Sequence, residues 1–421
     1  MKKKYLIFLV LVFFLAIGSA FAEGNFTQLS DEIDNTPDIF QFSQDYIFTD
    51  DETYNASSPI VIGEDNYVIE GNNFIVDGQN KARVFAVYGN NVTINNLNII
   101  NTHYSKEGSG IWVNGSVILN NVTFTNNNAT QGGAIYSAGS VICNNVYFID
   151  SYADRGSAIY SKGNLTISDS YFTSKNPINY ASIYGLKANL EVYDTVFENI
   201  DSKYATAIFN RYGNTTIQRS KFYNLNARET AGAIGIRELV NFTMNSCEFI
   251  NVTSSKNGGA MYVDVYGEFP KAGDVELINS TFINCSSDFG GAFLQLGGML
   301  SMKNITFINN TATYKGGSCY LSLVAGDFGN VSFISNNVIL DDEYPAYGGA
   351  IYLDGNKQIM GKFAISNSKF IANEANNGGA IYMYDSSIDI RNTQFLNNDE
   401  AVHAVFAGEI NFEDCDFSND T

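Results

Sequence analysis

Short runs of alternating apolar and polar residues follow one another along most of the chain. The stretch 164–168, NLTIS, is typical, and Gly, Asn and Ser separate such runs. A side-chain period of two residues between turn residues predicts short β-strands. The 421 residues include only 5 prolines and show no helical period, so a solenoid of helices is excluded.

The pentapeptide GGAIY occurs at 132–136, 348–352 and 378–382, and looser copies recur at steps of 24 to 32 residues. Three short strands cannot bury an apolar face within one such unit, whereas stacked units bury a continuous column. The pattern therefore predicts an all-β fold, a parallel β-helix of about 13 coils. It is expected to be right-handed, as crossover connections between parallel strands are. The Ala position of the copies falls at Ala86, Gly110, Ala134, Ala158, Ser182, Ala207, Ala233, Ala260, Ala292, Ser318, Ala350, Ala380 and Ala404.

The two-residue period also predicts which side chains form the core. A Phe marks a second strand in each coil and shares its face with the residue two positions earlier, as Phe124 does with Val122. The Ile of the pentapeptide is predicted to point inward, with the Ala before it and the aromatic residue after it pointing the other way. An Asn two residues past each Phe, such as Asn126, is predicted to form a ladder of stacked amides along one bend.

The chain divides into three predicted segments. Residues 1–22 combine three lysines, an apolar stretch and an Ala-x-Ala site, which predicts a signal peptide and a secreted or cell-surface protein. Residues 23–57 lack the repeat and are predicted to cap the first coil, with Thr27 capping a short helix. Residues 58–421 are predicted to form the β-helix domain, and no apolar run after the signal is long enough to cross a membrane.

The last residues, 417–421, directly follow a Phe marker without a recognisable cap. Two expectations remain open here. Either the last coil leaves an open strand edge through which the protein self-associates, or the chain is a shortened member of a longer class of protein.

Composition restricts the partners and the chemistry. With 24 basic and 44 acidic residues the formal charge is −20, which argues against nucleic acid and anionic membranes because both are bound through basic surface. The 5 cysteines are odd in number and widely spaced, so no disulfide framework is expected. His103 and His403 are too far apart to share a metal and are interpreted as isolated surface residues. Neither a metal nor a cofactor is expected.

Two sets of motifs carry a family resemblance. Gly132–Ile135 and Phe124–Asn127, with Phe307–Asn310 and Phe395–Asn398, resemble the repeats of chlamydial-type polymorphic membrane proteins. The stretch Asn66–Gly78 is similar to the start of the β-helix in adhesin-like surface proteins of methanogenic archaea. The resemblance implies a secreted right-handed β-helix at the cell surface that serves attachment or contact between cells.

The fifth position of the pentapeptide is aromatic in most coils and gives the candidate binding residues. If the Ile column is inside, this column lies on an outer face, where stacked rings could hold sugars. The alternative is that the rings stack on one another and stiffen the sheet. The candidate ligand-binding residues are Trp112, Tyr136, Tyr160, Tyr184, Phe209, Tyr262, Tyr320, Tyr352 and Tyr382, and the column is also assigned to Tyr88, Gly235, Leu294 and Phe406.

An enzyme is the alternative class of function. β-Helices also form pectate-lyase-like and polygalacturonase-like sites, which need converging carboxylates with a basic residue or a pair of acids. Asp169, Asp194 and Arg219 stand three residues before successive Phe markers and are the candidates for a lyase or hydrolase acting on an extracellular polysaccharide. Asn occupies the same position in most other coils, which favours a turn. The leading hypothesis is a non-catalytic adhesin-like protein that binds extracellular glycans or neighbouring cells.

Overall fold

The computed structural model describes residues 23–50, 54–238, 241–265, 273–339, 345–356, 362–418 and 420. Within these residues the chain forms a parallel β-helix of about 14 turns, built from three parallel sheets that run the length of the stack. The predicted β-helix is therefore confirmed. The signal peptide predicted for residues 1–22 lies outside the described residues.

Each coil contributes strands to all three sheets. Two of the sheets are named here after the side chains that they bury. The aliphatic sheet contains Ile39–Gln41, Val68–Glu70, Val92–Asn95, Ser116–Asn120, Ser140–Asn144, Leu165–Ser168, Leu190–Tyr193, Thr215–Gln218, Asn241–Asn245, Asp274–Ile278, Met299–Lys303, Ala325–Gly329, Phe363–Ser366, Ile388–Arg391 and Ile410–Glu413. The Phe sheet contains Tyr46–Ile47, Ile75–Asp77, Asn98–Ile100, Thr123–Thr125, Tyr147–Ile149, Tyr171–Thr173, Ile178–Tyr180, Val196–Tyr204, Lys221–Ala227, Glu248–Ser254, Thr281–Ile283, Ser286–Phe289, Thr306–Ile308, Thr311–Lys315, Ser332–Ile334, Asn337–Val338, Lys369–Ile371, Gln394–Leu396 and Asp416–Ser418.

The third sheet is named the Tyr sheet after the rings on its outer face. It contains Ile60–Ile62, Phe85–Val87, Ile111–Val113, Ile135–Ser137, Ile159–Ser161, Ile183–Leu186, Ile208–Arg211, Ile234–Arg237, Met261–Asp264, Phe293–Leu296, Cys319–Ser322, Ile351–Asp354, Ile381–Tyr384 and Val402–Val405. All three sheets pair each strand with its counterparts in the coils before and after, so equivalent residues of successive coils lie next to each other.

One helix, Phe26–Asp34, lies at the N-terminal end of the stack. Its buried face consists of Phe26, Leu29 and Ile33, and Phe26 packs edge-on against Phe48 with ring centroids 5.7 Å apart. The helix begins at Asn25, whose side chain accepts a hydrogen bond from the Gln28 N–H, so the prediction that Thr27 is the cap is wrong. Strand pairing already starts at 39–41, so the segment 23–57 provides both this helix and the first strands of the coil that it covers.

The interior is filled by apolar columns, among which a ladder of Phe rings is the largest. Twelve rings stack from Phe124 to Phe417 with successive centroids 4.5–5.3 Å apart and nearly parallel planes. Except in the last coil, Val122 and the other residues two positions before a Phe are buried, and so is the Ile column of the Tyr sheet. The predicted core is confirmed, and each pair of stacked rings adds about 0.5–1.5 kcal/mol beyond its burial.

The predicted amide ladder is present along the bend that follows the Phe sheet. Its residues adopt positive φ, which Asn tolerates better than other side chains. Where two successive coils both have Asn at this position, the Nδ2 donates to the Oδ1 one coil before, as Asn309 does to Asn284 at 2.7 Å. The same bond joins Asn126 to Asn101, Asn224 to Asn199, Asn251 to Asn224 and Asn284 to Asn251.

A second amide ladder lies inside the C-terminal coils, and the sequence pattern did not predict it. Asn310, Asn336, Asn373 and Asn398 follow the exposed bend residue by one position and are almost completely buried. The Oδ1 of Asn336 accepts from both the N–H and the Nδ2 of Asn310 at 3.0 Å. Its Nδ2 donates to the Phe307 carbonyl at 3.2 Å and to the next Asn of the ladder at 3.0 Å. Burial of an amide is tolerated here because each one is hydrogen-bonded on both sides.

The paired glycines of the pentapeptide are required by two different constraints. Gly132 has φ 62°, and a Cβ there would lie 2.0 Å from the carbonyl oxygen of Ile135. Gly133 has an ordinary φ, but a Cβ would lie 2.2 Å from the carbonyl oxygen of Ser157 in the next coil. The pair therefore allows the bend into the Tyr sheet and the close approach of successive coils.

The predicted direction of the Ala in the pentapeptide is wrong. The Ala before the Ile points into the core instead of outward: Ala134 belongs to the same buried cluster as Ile135. The strand starts only at Ile135, so the Ala lies in the bend, where the alternation of strand residues does not apply. Where Gly110 stands in this position, a Cβ would come within 3.1 Å of the Phe124 ring, which confirms the inward direction.

The first and last coils are out of register with the predicted repeat. Ala86 pairs with Trp112, so that Ala86 and not Tyr88 belongs to the aromatic column. In the last coil His403 pairs with Tyr382, so that His403 and not Phe406 occupies this column. The prediction assumed a nearly constant coil length, whereas the lengths of the bends differ from coil to coil.

We predict that Gly132→Ala destabilises the protein. The left-handed conformation costs an Ala about 1–2 kcal/mol, and the added Cβ must also move away from the Ile135 carbonyl. Ala231 has positive φ at the equivalent position of another coil, so the variant is expected to fold. The measurement is the unfolding midpoint followed by circular dichroism. Gly329→Ala is the control, since a Cβ there would meet no atom within 4 Å, and equal effects of the two changes would contradict the interpretation.

We predict that Asn336→Ala destabilises the protein by about 2–4 kcal/mol, because it leaves the buried N–H of Asn310 without its acceptor. Urea unfolding gives the change in free energy. Asn411→Ala removes an exposed amide that also bonds to the coil before it, at 2.7 Å, and is expected to cost less than about 1 kcal/mol. An Asn336→Ala effect no larger than that of Asn411→Ala would show that the inner ladder is not needed.

Candidate functional site: the tyrosine ladder

The rings of the pentapeptide column form a ladder along the outer face of the Tyr sheet. This tyrosine ladder comprises Trp112, Tyr136, Tyr160, Tyr184, Phe209, Tyr262, Leu294, Tyr320, Tyr352, Tyr382 and His403, with Gly235 as a gap. Parallel pairing of the strands fixes the spacing, because each ring stands next to its counterpart one coil away. All nine candidate ligand-binding residues predicted from the sequence lie in this one column.

Most of the rings stack face to face. The centroids of Tyr136 and Tyr160 are 5.4 Å apart with planes 5° apart, and Tyr160 and Tyr184 are 5.2 Å apart. A second stack in the C-terminal half runs from Tyr320 through Tyr352 and Tyr382 to His403 with spacings of 5.0, 5.2 and 5.4 Å. His403 is therefore part of the ladder, and the interpretation of it as an isolated surface residue is wrong.

The ladder lies outside the sheet but is hardly exposed. Its rings form an apolar cluster separate from the core, together with Ala181, Ala205 and Ala231 from the neighbouring bend. Tyr136 is 4% exposed and Tyr160 only 2%, because each ring is covered on both faces by its neighbours. Burial raises the pKa of Tyr160. The stacked faces leave no room for a sugar ring, so a ligand of this column would have to contact ring edges and hydroxyl groups.

Several basic side chains extend over the outer edge of the ladder. Lys162 Nζ donates to the Tyr136 hydroxyl at 2.7 Å and lies 5.3 Å from the centroid of that ring. This hydrogen bond raises the pKa of Lys162. The guanidinium of Arg155 lies 5.8 Å from the Tyr184 centroid, and that of Arg237 lies 5.5 Å from the Tyr262 centroid. Such cation–π contacts hold a charge in place without neutralising it.

A second polar group lies on the C-terminal half of the ladder. Lys315 Nζ is 3.1 Å from the Tyr352 hydroxyl and 4.5 Å from the centre of its ring. Burial lowers the pKa of Lys315 and raises the pKa of Asp354, which stands two residues beyond Tyr352 on the same face. Burial also raises the pKa of Tyr320 to about 12.

The three residues considered for catalysis occupy the bend before the Phe sheet. Asp169, Asp194 and Arg219 all have positive φ and replace the Asn of the other coils, as the turn interpretation predicted. Arg219 and Asp194 form a bidentate ion pair with N–O distances of 2.9 and 2.7 Å. The hydrogen bonds from Arg219 lower the pKa of Asp194, which makes this carboxyl a weaker proton acceptor. Asp169 is one coil away and does not share this pair.

The thiols and the acidic residues offer little to a metal. All five cysteines are free thiols, and Cys143, Cys247, Cys285 and Cys319 are buried, which raises their pKa. In the described residues no three or more His, Cys, Asp or Glu side chains come together in a way that could hold a metal ion. No helix within these ranges combines the length and the apolar character needed to cross a membrane.

Sequence reasoning identified the rings of the ladder but missed the cations above them. Lys162 and Arg237 stand two residues after the aromatic position. Arg237 is the last residue of its strand, and Lys162 directly follows its strand. A scan of this outward position along the coils would have found them. Arg155 lies in a bend of variable length, and nothing in the sequence pattern places it over Tyr184.

The family comparison agrees with the repeat. The model of the Chlamydia polymorphic membrane protein repeat matches residues 121–138 and 304–322. Each match runs from a bend Asn through the Phe strand and the glycine pair to a ring of the ladder. No match to a curated protein or to a solved structure was found. Together the repeat and the β-helix fit a surface protein of the adhesin type, whereas the likeness of residues 66–78 to archaeal adhesin-like proteins stays a prediction.

We predict that Arg219→Asn lowers the Tm at pH 7 by only a degree or two, because exposed ion pairs contribute little. The pair holds the pKa of Asp194 below its unfolded value of about 3.9. Its contribution is therefore present above that pH and is lost as the pH falls further. The difference in Tm from the unmodified protein should disappear near pH 2. The double variant Asp194→Asn with Arg219→Asn continues the amide ladder and is expected to melt like the unmodified protein. A large loss in the double variant would contradict the turn interpretation.

Proposed function

We propose that this chain is a non-catalytic adhesin-like β-helix protein, secreted or held at the cell surface, that attaches to extracellular glycans or to other cells. The observation that carries the proposal is the combination of a polymorphic membrane protein repeat with an uninterrupted stack of parallel coils. Such a stack is a stiff, elongated body with one long face per sheet, and repeat proteins of this shape use their extended faces for binding.

The electrostatics of the bend before the Phe sheet favour attachment over catalysis. Lyases and glycosidases need an acid or base that is available to the substrate. Here Arg219 occupies both oxygens of Asp194 and lowers the pKa of that carboxyl. The candidate acid and its basic neighbour therefore neutralise each other.

The tyrosine ladder is the proposed attachment face. Its rings are fixed by stacking, so their hydroxyl groups form a regular row that loses little conformational entropy when a ligand binds. Sugars present hydroxyl groups at a similar density and can exchange hydrogen bonds with such a row. Stacking of a sugar on a ring face is not part of this proposal, because the faces are covered.

We predict that Tyr136→Phe, Tyr160→Phe and Tyr184→Phe together weaken glycan binding at least about tenfold, because three hydroxyl hydrogen bonds are lost. The rings and their stacking remain, and Phe209 shows that the ladder accepts Phe. The purified protein and the variant are compared on a glycan array and by attachment to whole cells.

The matched control is Tyr147→Phe, Tyr171→Phe and Tyr193→Phe, which removes the same number of hydroxyl groups from the outer faces of the other two sheets. Unchanged binding by the ladder variant would remove the ladder as the site. Incubation of the protein with acidic and neutral polysaccharides and calcium should release no product. New reducing ends or unsaturated sugars would overturn the non-catalytic part of the proposal.

A further inference from the structure

Positive charge is concentrated in the middle of an otherwise acidic chain. Residues 130–265 contain 11 Lys and Arg against 11 Asp and Glu, although the whole chain has 24 against 44. This segment includes the rungs of the tyrosine ladder from Tyr136 to Tyr262. A local balance of this kind can attract an anion that the rest of the surface repels.

Three of these cations combine contact with a ladder ring and the lack of an ion pair. Lys162, Arg155 and Arg237 are exposed and lie over ladder rings, and in the described part of the chain none of them forms an ion pair. By contrast, Arg219 pairs with Asp194, and Lys256 pairs with Glu229. The three ladder cations therefore keep N–H donors that no ion pair occupies, although Arg237 lies opposite Asp264 and, after the hydrogen bond from Arg211, also lowers the pKa of Glu238.

The three cations form a row along the axis of the stack. Lys162 contacts Tyr136 and Tyr160, Arg155 contacts the next ring, Tyr184, and Arg237 contacts Tyr262. Tyr180, a ring packed edge-on against Tyr184 and Phe209, is near enough to both arginines for each to act on its pKa. Five coil steps of about 4.8 Å separate the rungs of Tyr136 and Tyr262, so the row is about 24 Å long.

The gap in the ladder positions the last cation. Gly235 replaces the ring between Phe209 and Tyr262, and the next residue of the column is Leu294, so neither neighbour of Tyr262 in the column is a ring. Arg237, two residues after Gly235 on the same strand, lies over Tyr262. Carboxylates also lie close to the row. Asp264 accepts a hydrogen bond from the Tyr262 hydroxyl at 3.3 Å, Glu107 acts on Lys162 from a distance, and Glu238, which pairs with Arg211, stands next to Arg237. A ligand must therefore place its negative charges opposite the cations. Between these positions the ligand must be uncharged.

We propose that the middle of the tyrosine ladder binds an acidic polysaccharide, with carboxylates of uronic acid residues paired to Arg155, Lys162 and Arg237. This inference rests on the proposed attachment to glycans and specifies the class of glycan. A few isolated cations along a straight edge fit an extended polymer whose charges are separated by neutral hydroxyl groups. Nucleic acid fits less well, since it carries one charge per about 1.7 Å of duplex and would be repelled by the acidic remainder of the chain.

The test uses polygalacturonate and its fully methyl-esterified form, which share a backbone and differ in charge. The full-length protein is expected to bind the acid and not the ester, and binding should weaken as salt is added. The combined variant Arg155→Gln, Lys162→Gln and Arg237→Gln is expected to lose affinity for polygalacturonate roughly tenfold or more. Calorimetry or biolayer interferometry gives the affinities, and circular dichroism checks the fold.

The matched control is Lys81→Gln, Arg219→Gln and Lys256→Gln, which changes the net charge equally at ion-paired positions away from the row. Its affinity should stay within about twofold, because these cations are already neutralised. Arg155→Lys with Arg237→Lys keeps the charges and is expected to retain most of the binding. Equal losses in the two triple variants, or equal binding of acid and ester, would overturn the inference.

Two further outcomes separate this inference from the broader proposal. Binding to neutral glycans or to cells without binding to polygalacturonate would overturn the acidic ligand and leave attachment intact. Absence of binding to any glycan or cell would overturn both. Tighter binding to single-stranded DNA than to polygalacturonate would show that the row recognises polyanions of another class.

Discussion

The hydrogen bonds between parallel strands of successive coils are the constraint on which the whole structure depends. They place every residue about 4.8 Å from its counterpart in the next coil, so each side chain must be compatible with a neighbour of its own kind. Phe rings, primary amides and small apolar residues satisfy this requirement, because rings stack, amides donate and accept in turn, and aliphatic groups pack. Adjacent like charges are less favourable, and the step from Asp194 to Arg219 in the bend before the Phe sheet is an ion pair of opposite charges. The sequence thus repeats because each residue has the same short distance to its counterpart in the next coil.

The same constraint explains which features could be predicted from the sequence. Alternation within strands identified the Phe and Ile columns, and the bend Asn was recognised because positive φ and amide stacking both favour it. Alternation says nothing about bends, however, and the inward direction of Ala134 depends on where the strand begins. The buried Asn336 was missed because an Asn beside a turn is normally exposed, and its partners belong to coils 26 and 37 residues away. The registers of the first and last coils depend on bend lengths that a constant period cannot give.

The rings of the tyrosine ladder point outward as predicted, but they are much less exposed than that direction suggests. The rings lie outside the sheet, as the inward Ile column requires, yet Tyr160 is 2% exposed. Spacing by the coil repeat brings the rings so close that they cover each other, and three alanines of the adjoining bend cover them further. An aromatic column on a parallel β-helix is therefore a second apolar layer, and what it offers to a ligand is a row of edges and hydroxyl groups.

In a solenoid, a residue that recurs in every coil is explained by stacking, so recognition is best sought where a column departs from its own pattern. The ladder departs from its pattern at Gly235 and Leu294, where a ring is missing, and at Lys162, Arg155 and Arg237, whose charged groups extend over rings. These departures lie within a few coils of each other, and all three cations are exposed, although Lys162 also donates to the hydroxyl of the buried Tyr136. An ion pair with one of the many carboxylates of this acidic chain would neutralise these cations. In the proposed site, their contact with uncharged rings leaves their charge available to a ligand.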